Sequence, residues 1–181
     1  MAKGGRRGLY LVVAMLVGLW PIAVSAGTAP LVLHGDGLDN LRFGAHAALV
    51  ERTLSATLGR ATSPLASAPG SVRCGVDAAA AWRGVIVFVN HGVFVGYSAT
   101  ANARTPVRAD DGLVIGDTVA QARQIFGLRL RVSGNQGGAW FARIPTGRFY
   151  GFLTPSGPPP GPRSTILSIE AGRVGCPAMT P

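Results

Sequence analysis

Residues 92–97 read GVFVGY and residues 147–152 read GRFYGF, so the chain spells Gly-x-Phe-x-Gly-aromatic twice. Each segment follows a glycine-containing turn and an alternating apolar run, which is the pattern of the second strand of a β-hairpin. We predict one hairpin over 85–99, turning at Asn-His-Gly, and another over 139–153, turning at Pro-Thr-Gly. The chain therefore builds a similar hairpin twice.

A segment with helical periodicity precedes each predicted hairpin. The apolar positions that recur at helical spacing are Leu49, Leu54 and Leu58 in the first segment and Val119, Ala122 and Phe126 in the second. Thr118 and Gln121 form a capping-box pattern at the start of the second helix, and Gly127 is placed to end it. The first helix lacks this box.

These elements predict the fold class and the domain organisation. The sequence indicates an α+β fold of two tandem helix-plus-antiparallel-β-meander repeats packed as one unit, spanning 27–105 and 106–181. Residues 62–70 (TSPLASAPG) are interpreted as a loop. Residues 164–175 supply the last strand, with a further hairpin over Ala171 and Gly172 left open.

The N-terminal 26 residues have the organisation of a cleaved signal peptide. Lys3, Arg6 and Arg7 precede an uncharged apolar run, and Val24 and Ala26 suit the −3 and −1 positions of a cleavage site. The alternative is a retained membrane anchor, but the run is shorter than the about 20 residues that a membrane span needs. Both general and twin-arginine export remain open. We expect a secreted, periplasmic or cell-envelope protein without a membrane span after cleavage.

Charge and cysteine content restrict the partners. The 17 basic and eight acidic residues give a net charge of +9, and every basic residue after Lys3 is arginine. Export and the absence of arginines interleaved with aromatic residues argue against nucleic acid. An anionic envelope polymer remains a possible partner. In an oxidising compartment, Cys74 and Cys176 are expected to form one disulfide.

Residues capable of chemistry are few. His34, Asp36, Asp39 and His46 lie close in sequence, but their spacing matches no zinc or calcium motif and Asp36-Gly37 is a turn signal. We predict no metal, no cofactor and no catalytic residue. One alternative is kept, a hydrolase whose site the fold assembles from His34, Asp36 and His91.

The second helix and its hairpin carry a family resemblance. Gly116, Thr118, Gln121 and Gly127, followed by a β-meander, resemble the small outer-membrane assembly lipoproteins of the SmpA/OmlA type. Two such units in an exported, disulfide-bonded chain are similar to the secreted β-lactamase-inhibitory-protein fold. The resemblance implies a continuous concave sheet that binds a protein partner.

Strand alternation identifies the candidate binding residues. Phe94 and Phe149 are predicted to lie under the helices, beside Gly96 and Gly151, whose missing side chains admit a helix backbone. The opposite face then presents the residues that we expect to bind a partner, which are Tyr97, Arg148, Tyr150 and Phe152.

We therefore expect an exported, non-catalytic binding or cell-envelope protein that recognises another exported or envelope protein through this face. The alternatives are a binder of an envelope polymer or small ligand and the hydrolase named above.

Overall fold

The computed structural model describes residues 30–67, 74–101, 106–134, 138–154 and 160–174. The described residues form twelve strands and two α-helices. The strands are β1 Leu31–His34, β2 Gly37–Leu38, β3 Leu41–Arg42, β4 Ser63–Ser67, β5 Ala78–Trp82, β6 Val85–Asn90, β7 Val93–Thr100, β8 Val107–Ala109, β9 Leu130–Ser133, β10 Ala139–Ile144, β11 Gly147–Phe152 and β12 Ser168–Gly172. The helices are α1 Ala47–Leu58 and α2 Val119–Phe126.

The strands form two sheets. The larger is antiparallel throughout and has the order β4-β5-β6-β7-β12-β11-β10-β9. The smaller has the order β3-β2-β1-β8, in which β1 and β8 run parallel. Strand β12, near the C-terminus, therefore lies inside the large sheet between β7 and β11.

The predicted fold class is wrong. The chain is mostly β-sheet in two separate sheets, rather than an α+β pair of helix-plus-meander repeats. The small sheet joins Leu31–Arg42 to β8, two regions that the prediction assigned to different repeats. Its strands have two to four residues, too few for an alternating pattern to be recognised in the sequence.

Several local predictions are confirmed. Strands β6 and β7 form the first hairpin, in which His91 (φ 50°) and Gly92 (φ 75°) both adopt the left-handed conformation of a tight hairpin turn. Strands β10 and β11 form the second hairpin. Helix α2 carries the predicted capping box between Thr118 and Gln121, whereas α1 has no side-chain cap.

The two repeated segments flank strand β12. Gly96 lies on β7 and Gly151 on β11, and a Cβ atom on either would meet the backbone of β12 or of the residue that follows it. For Gly96 the obstacle is Arg173 O at 2.1 Å, and for Gly151 it is Ser168 O at 2.1 Å. The close approach that we predicted for a helix backbone is thus made by strand β12 at Gly151, and by the residue that follows β12 at Gly96.

The core lies on one face of the large sheet, beneath the helices and the small sheet. Phe94 and Phe149 are fully buried there, as predicted, and Phe94 packs edge-on against Phe43 with ring centroids 5.0 Å apart. Trp140 stacks on Phe126 of α2, with ring centroids 6.4 Å apart. The opposite face of the large sheet is consequently the one available to a partner.

The predicted disulfide and the signal peptide fall partly or wholly outside the described residues. Cys74 is not a free cysteine, and it lines the same cavity as Val174, two positions before Cys176. Cys176 itself and residues 1–26 lie outside the described residues. The pairing of the two cysteines and the cleavage of the signal stay predictions. Within the described ranges, no helix is long and apolar enough to cross a membrane.

Candidate partner-binding face

A row of directly opposed residues crosses the open face of the large sheet. In an antiparallel pair, opposed residues project from the same face. The pairing connects seven strands, and the residues of this row, from β5 to β9, are Ala81, Ile86, Ser98, Glu170, Tyr150, Phe141 and Arg131. Aromatic side chains thus lie beside a carboxylate near the centre of the sheet.

The middle of this face forms a groove of about 620 Å³, which we call the central groove. Its side chains come from both halves of the sheet and include Ile86, Phe88, Phe141, Tyr150 and Phe152. Ile86, Phe141 and Phe152 are 38%, 42% and 45% exposed. Large hydrophobic side chains that remain exposed together on one surface are typical of an interaction site.

Three of the four predicted face residues lie on the open face. Phe152 and Tyr150 line the central groove, and Arg148 lies exposed next to it, opposite Arg143. The Tyr150 hydroxyl donates a hydrogen bond of 2.5 Å to the carbonyl oxygen of Gly172. Burial, and secondarily the charge of Glu170, raises the pKa of Tyr150 to about 12, so the phenol is protonated at neutral pH.

Tyr97 lies on the core face, contrary to the prediction. The pairing with β6 shifts between Phe88 and Val89, which leaves Val95 as an extra residue in β7. An extra residue in a strand moves the side chains that follow it to the opposite face of the sheet. Tyr97 is therefore 0% exposed, and its hydroxyl donates to the carbonyl oxygen of His34 at 2.9 Å. Burial strongly raises the pKa of Tyr97.

Glu170 on this face was missed in the sequence analysis, as were Ile86 and Phe141. It is 7% exposed, and its Oε1 atom accepts hydrogen bonds from the hydroxyls of Ser98 (3.1 Å) and Ser168 (3.2 Å). Burial raises the pKa of this carboxyl, while the two hydroxyls act in the opposite direction. The available signal was a lone acid in the otherwise apolar and small run ILSIEAG, residues 166–172.

The charge on Glu170 is expected to destabilise the fold at neutral pH. Because its folded-state pKa lies above the ordinary value of 4.5, the stability present below that value is lost as pH rises through the folded-state pKa. Each unit of the shift costs about 1.4 kcal/mol. Glutamine keeps an acceptor for both serines without the charge, so Glu170→Gln should be more stable than wild type near pH 7 and equally stable near pH 4.

Urea unfolding at both pH values measures this difference. Glu51→Gln, which removes one negative charge from helix α1, controls for the change in net charge. A Glu170→Gln protein that is less stable than wild type at pH 7 would contradict the assigned environment of the carboxylate.

A basic edge borders the central groove. Arg131, Arg143 and Arg148 are exposed on β9, β10 and β11, with Phe141 between them. The ion pairs of the described residues involve other side chains. This edge can attract an acidic surface.

The residues of the hydrolase alternative have separate partners. His34 Nδ1 lies 2.8 Å from Asp110 Oδ2, His91 Nδ1 lies 3.7 Å from Asp77 Oδ2, and Asp36 lies 3.5 Å from Arg42. In the part of the chain that is described, no group of three or more His, Cys, Asp or Glu residues could hold a metal ion. The geometry gives this alternative no constellation of residues to support it.

Comparisons with known proteins find a structural similarity. No protein-family model matches the sequence, and no curated protein is significantly similar to it. The chain is similar to the crystal structure of the uncharacterized protein yfeY from Escherichia coli, with 13% identity and a TM-score of 0.48. The match covers 80% of this chain and 99% of that chain.

Proposed function

We propose that this protein is an exported, non-catalytic binding protein whose partner is another exported or envelope protein. The observation that carries the proposal is the exposure of Ile86, Phe141 and Phe152 on one open sheet face, around one groove. Such a hydrophobic centre with a rim of arginines has the composition of protein–protein interfaces. The basic edge adds long-range attraction to an acidic partner surface and speeds encounter.

Capture from the producing cell's envelope and culture fluid tests this proposal. The purified wild-type protein is compared with Phe141→Ala/Phe152→Ala and with Leu49→Ala, which truncates a 48% exposed hydrophobic residue on α1. We expect the wild type and Leu49→Ala to retain the same protein. The double variant should bind it at least about tenfold more weakly, since buried aromatic anchors often contribute about 2 kcal/mol or more.

Hydrogen exchange on the captured complex then locates the interface. Protection should appear in β10, β11 and β12. Capture that survives the double alanine variant would contradict the proposed face.

An anionic envelope polymer is the second candidate, because Arg131, Arg143 and Arg148 lie side by side on an exposed edge. Capture of a polymer that is lost in Arg143→Gln/Arg148→Gln, but kept in Phe141→Ala/Phe152→Ala, would favour this candidate over a protein partner.

A further inference from the structure

The central groove holds a carboxylate that forms no ion pair with any of the residues that the structure describes. Glu170 faces this groove from β12, and the ion pairs of the described residues do not include it. Arg173, the cation among the described groove-lining residues, places its guanidinium against Gly75, where Nη1 lies 2.8 Å from the position of an added Cβ. A buried charge without a partner is costly for a fold, so its neutralisation by a ligand would recover free energy.

The hydrogen bonding of Glu170 leaves one oxygen available. Both serine hydroxyls donate to Oε1, and within the described residues Oε2 accepts no hydrogen bond. The serines fix the carboxylate in place, since Ser98 projects from β7 and Ser168 from β12 itself. Oε2 is thus a preoriented acceptor in an apolar groove.

One free oxygen suits an ammonium better than a guanidinium. Guanidinium groups bind carboxylates most strongly through two parallel hydrogen bonds, which would require Oε1 as well. An ammonium is a compact charge that can bind one oxygen, and its methylene stem can lie along apolar walls. Phe88, Tyr150 and Phe152 supply those walls, and their rings can also attract a cation.

The surroundings of the groove limit the partner further. Arg173 lines the groove, and Arg148 lies next to it, opposite Arg143. These positive charges would repel a segment that itself carries several positive charges. The favoured segment has one cation between apolar or acidic residues.

We infer that the central groove binds a lysine side chain of the partner protein, with its ammonium on Oε2 of Glu170. This inference rests on the proposed function, because it specifies which group the open face recognises. It makes Glu170 a specificity residue, whose charge serves binding although it disfavours the fold.

Selection from a library of random twelve-residue peptides tests the inference. The library is selected in parallel on the wild-type protein, Glu170→Gln and Glu51→Gln. We expect peptides with a single lysine among apolar or acidic residues on the wild type and on Glu51→Gln, but no enrichment of lysine on Glu170→Gln. For a selected peptide, replacing the lysine by norleucine should weaken binding to the wild type at least about tenfold, and should leave binding to Glu170→Gln nearly unchanged.

The outcomes separate the inference from the proposed function. The selected peptides could instead contain arginine, or no cation, and fail to bind Phe141→Ala/Phe152→Ala. This result would overturn the inference that a lysine is recognised, but it would keep the open face as a protein-binding surface. A lysine preference that persists in Glu170→Gln would also overturn the inference. Selection of no peptide by any variant would count against both.

Discussion

Gly151→Ala should destabilise the protein by about 3 kcal/mol, the upper end of the usual cost of overpacking, because the added atom must displace backbone. The added Cβ would lie 2.1 Å from the carbonyl oxygen of Ser168 and 2.8 Å from its carbonyl carbon. These atoms belong to the backbone of β12 and cannot rotate away as a flexible side chain would. Strands β11 and β12 must therefore move apart to make room for the added atom.

Urea unfolding of Gly151→Ala and Gly161→Ala measures the effect. An added Cβ at Gly161 would have no atom within 4 Å, so this control should differ from wild type by less than about 0.5 kcal/mol. Similar stability of the two variants would show that β12 does not lie against β11 as closely as described.

The position of β12 also explains what the sequence could not predict. The hairpins over 85–99 and 139–153 depend on local alternation and on turn residues, and these were identified correctly. Strand β12 contains Glu170 and Gly172, two residue types that are depleted in strands. A strand was nevertheless predicted within 164–175, which is confirmed, but its position in the sheet was not predicted, because its neighbour β7 lies about 70 residues earlier in the chain. Local sequence carries no record of such a pairing.

Two other errors have equally specific causes. Residues 62–70 were interpreted as a loop because of their prolines, but Ser63–Ser67 form β4, an exposed edge strand with a register shift between Ser63 and Ala66. Edge strands and bulges are the places where a sheet tolerates proline. The fold class was wrong because pairing between the short strands β1 and β8 assembled a second sheet.

The candidate site was predictable to the extent that its strand alternates regularly. Strand β11 has no register shift against β10, so Arg148, Tyr150 and Phe152 project from the predicted face. Strand β7 has one, and Tyr97 consequently turned to the core. Glu170 was missed although its strand was predicted within 164–175, because the sequence does not show which strands lie beside it. The burial of this acid depends on Ser168 of the same strand and on Ser98 of the neighbouring strand β7.

Phe149→Ala should destabilise the fold much more than Phe152→Ala, because the two residues lie on opposite faces of β11 and are 0% and 45% exposed. Truncation of the buried ring at Phe149 should cost about 3 to 5 kcal/mol, from lost burial and from the cavity that remains. Truncation at Phe152 should cost less than about 1 kcal/mol. Urea unfolding measures both.

The loss of partner capture should be larger in Phe152→Ala than in Phe149→Ala, the reverse of the order expected for the loss of stability. Phe149→Ala, assayed under conditions in which it is folded, leaves the central groove intact and should retain the partner, whereas Phe152→Ala removes part of the groove wall and should weaken capture. Equal stability losses in the two variants would mean that Phe152 is packed as tightly as Phe149, and the open face would then not be free for a partner. A stable Phe152→Ala protein that no longer captures the partner would instead separate the residue's role in binding from any role in folding. A side chain that serves recognition on the outer face of a strand should contribute to binding and little to folding, and this result would show that for Phe152.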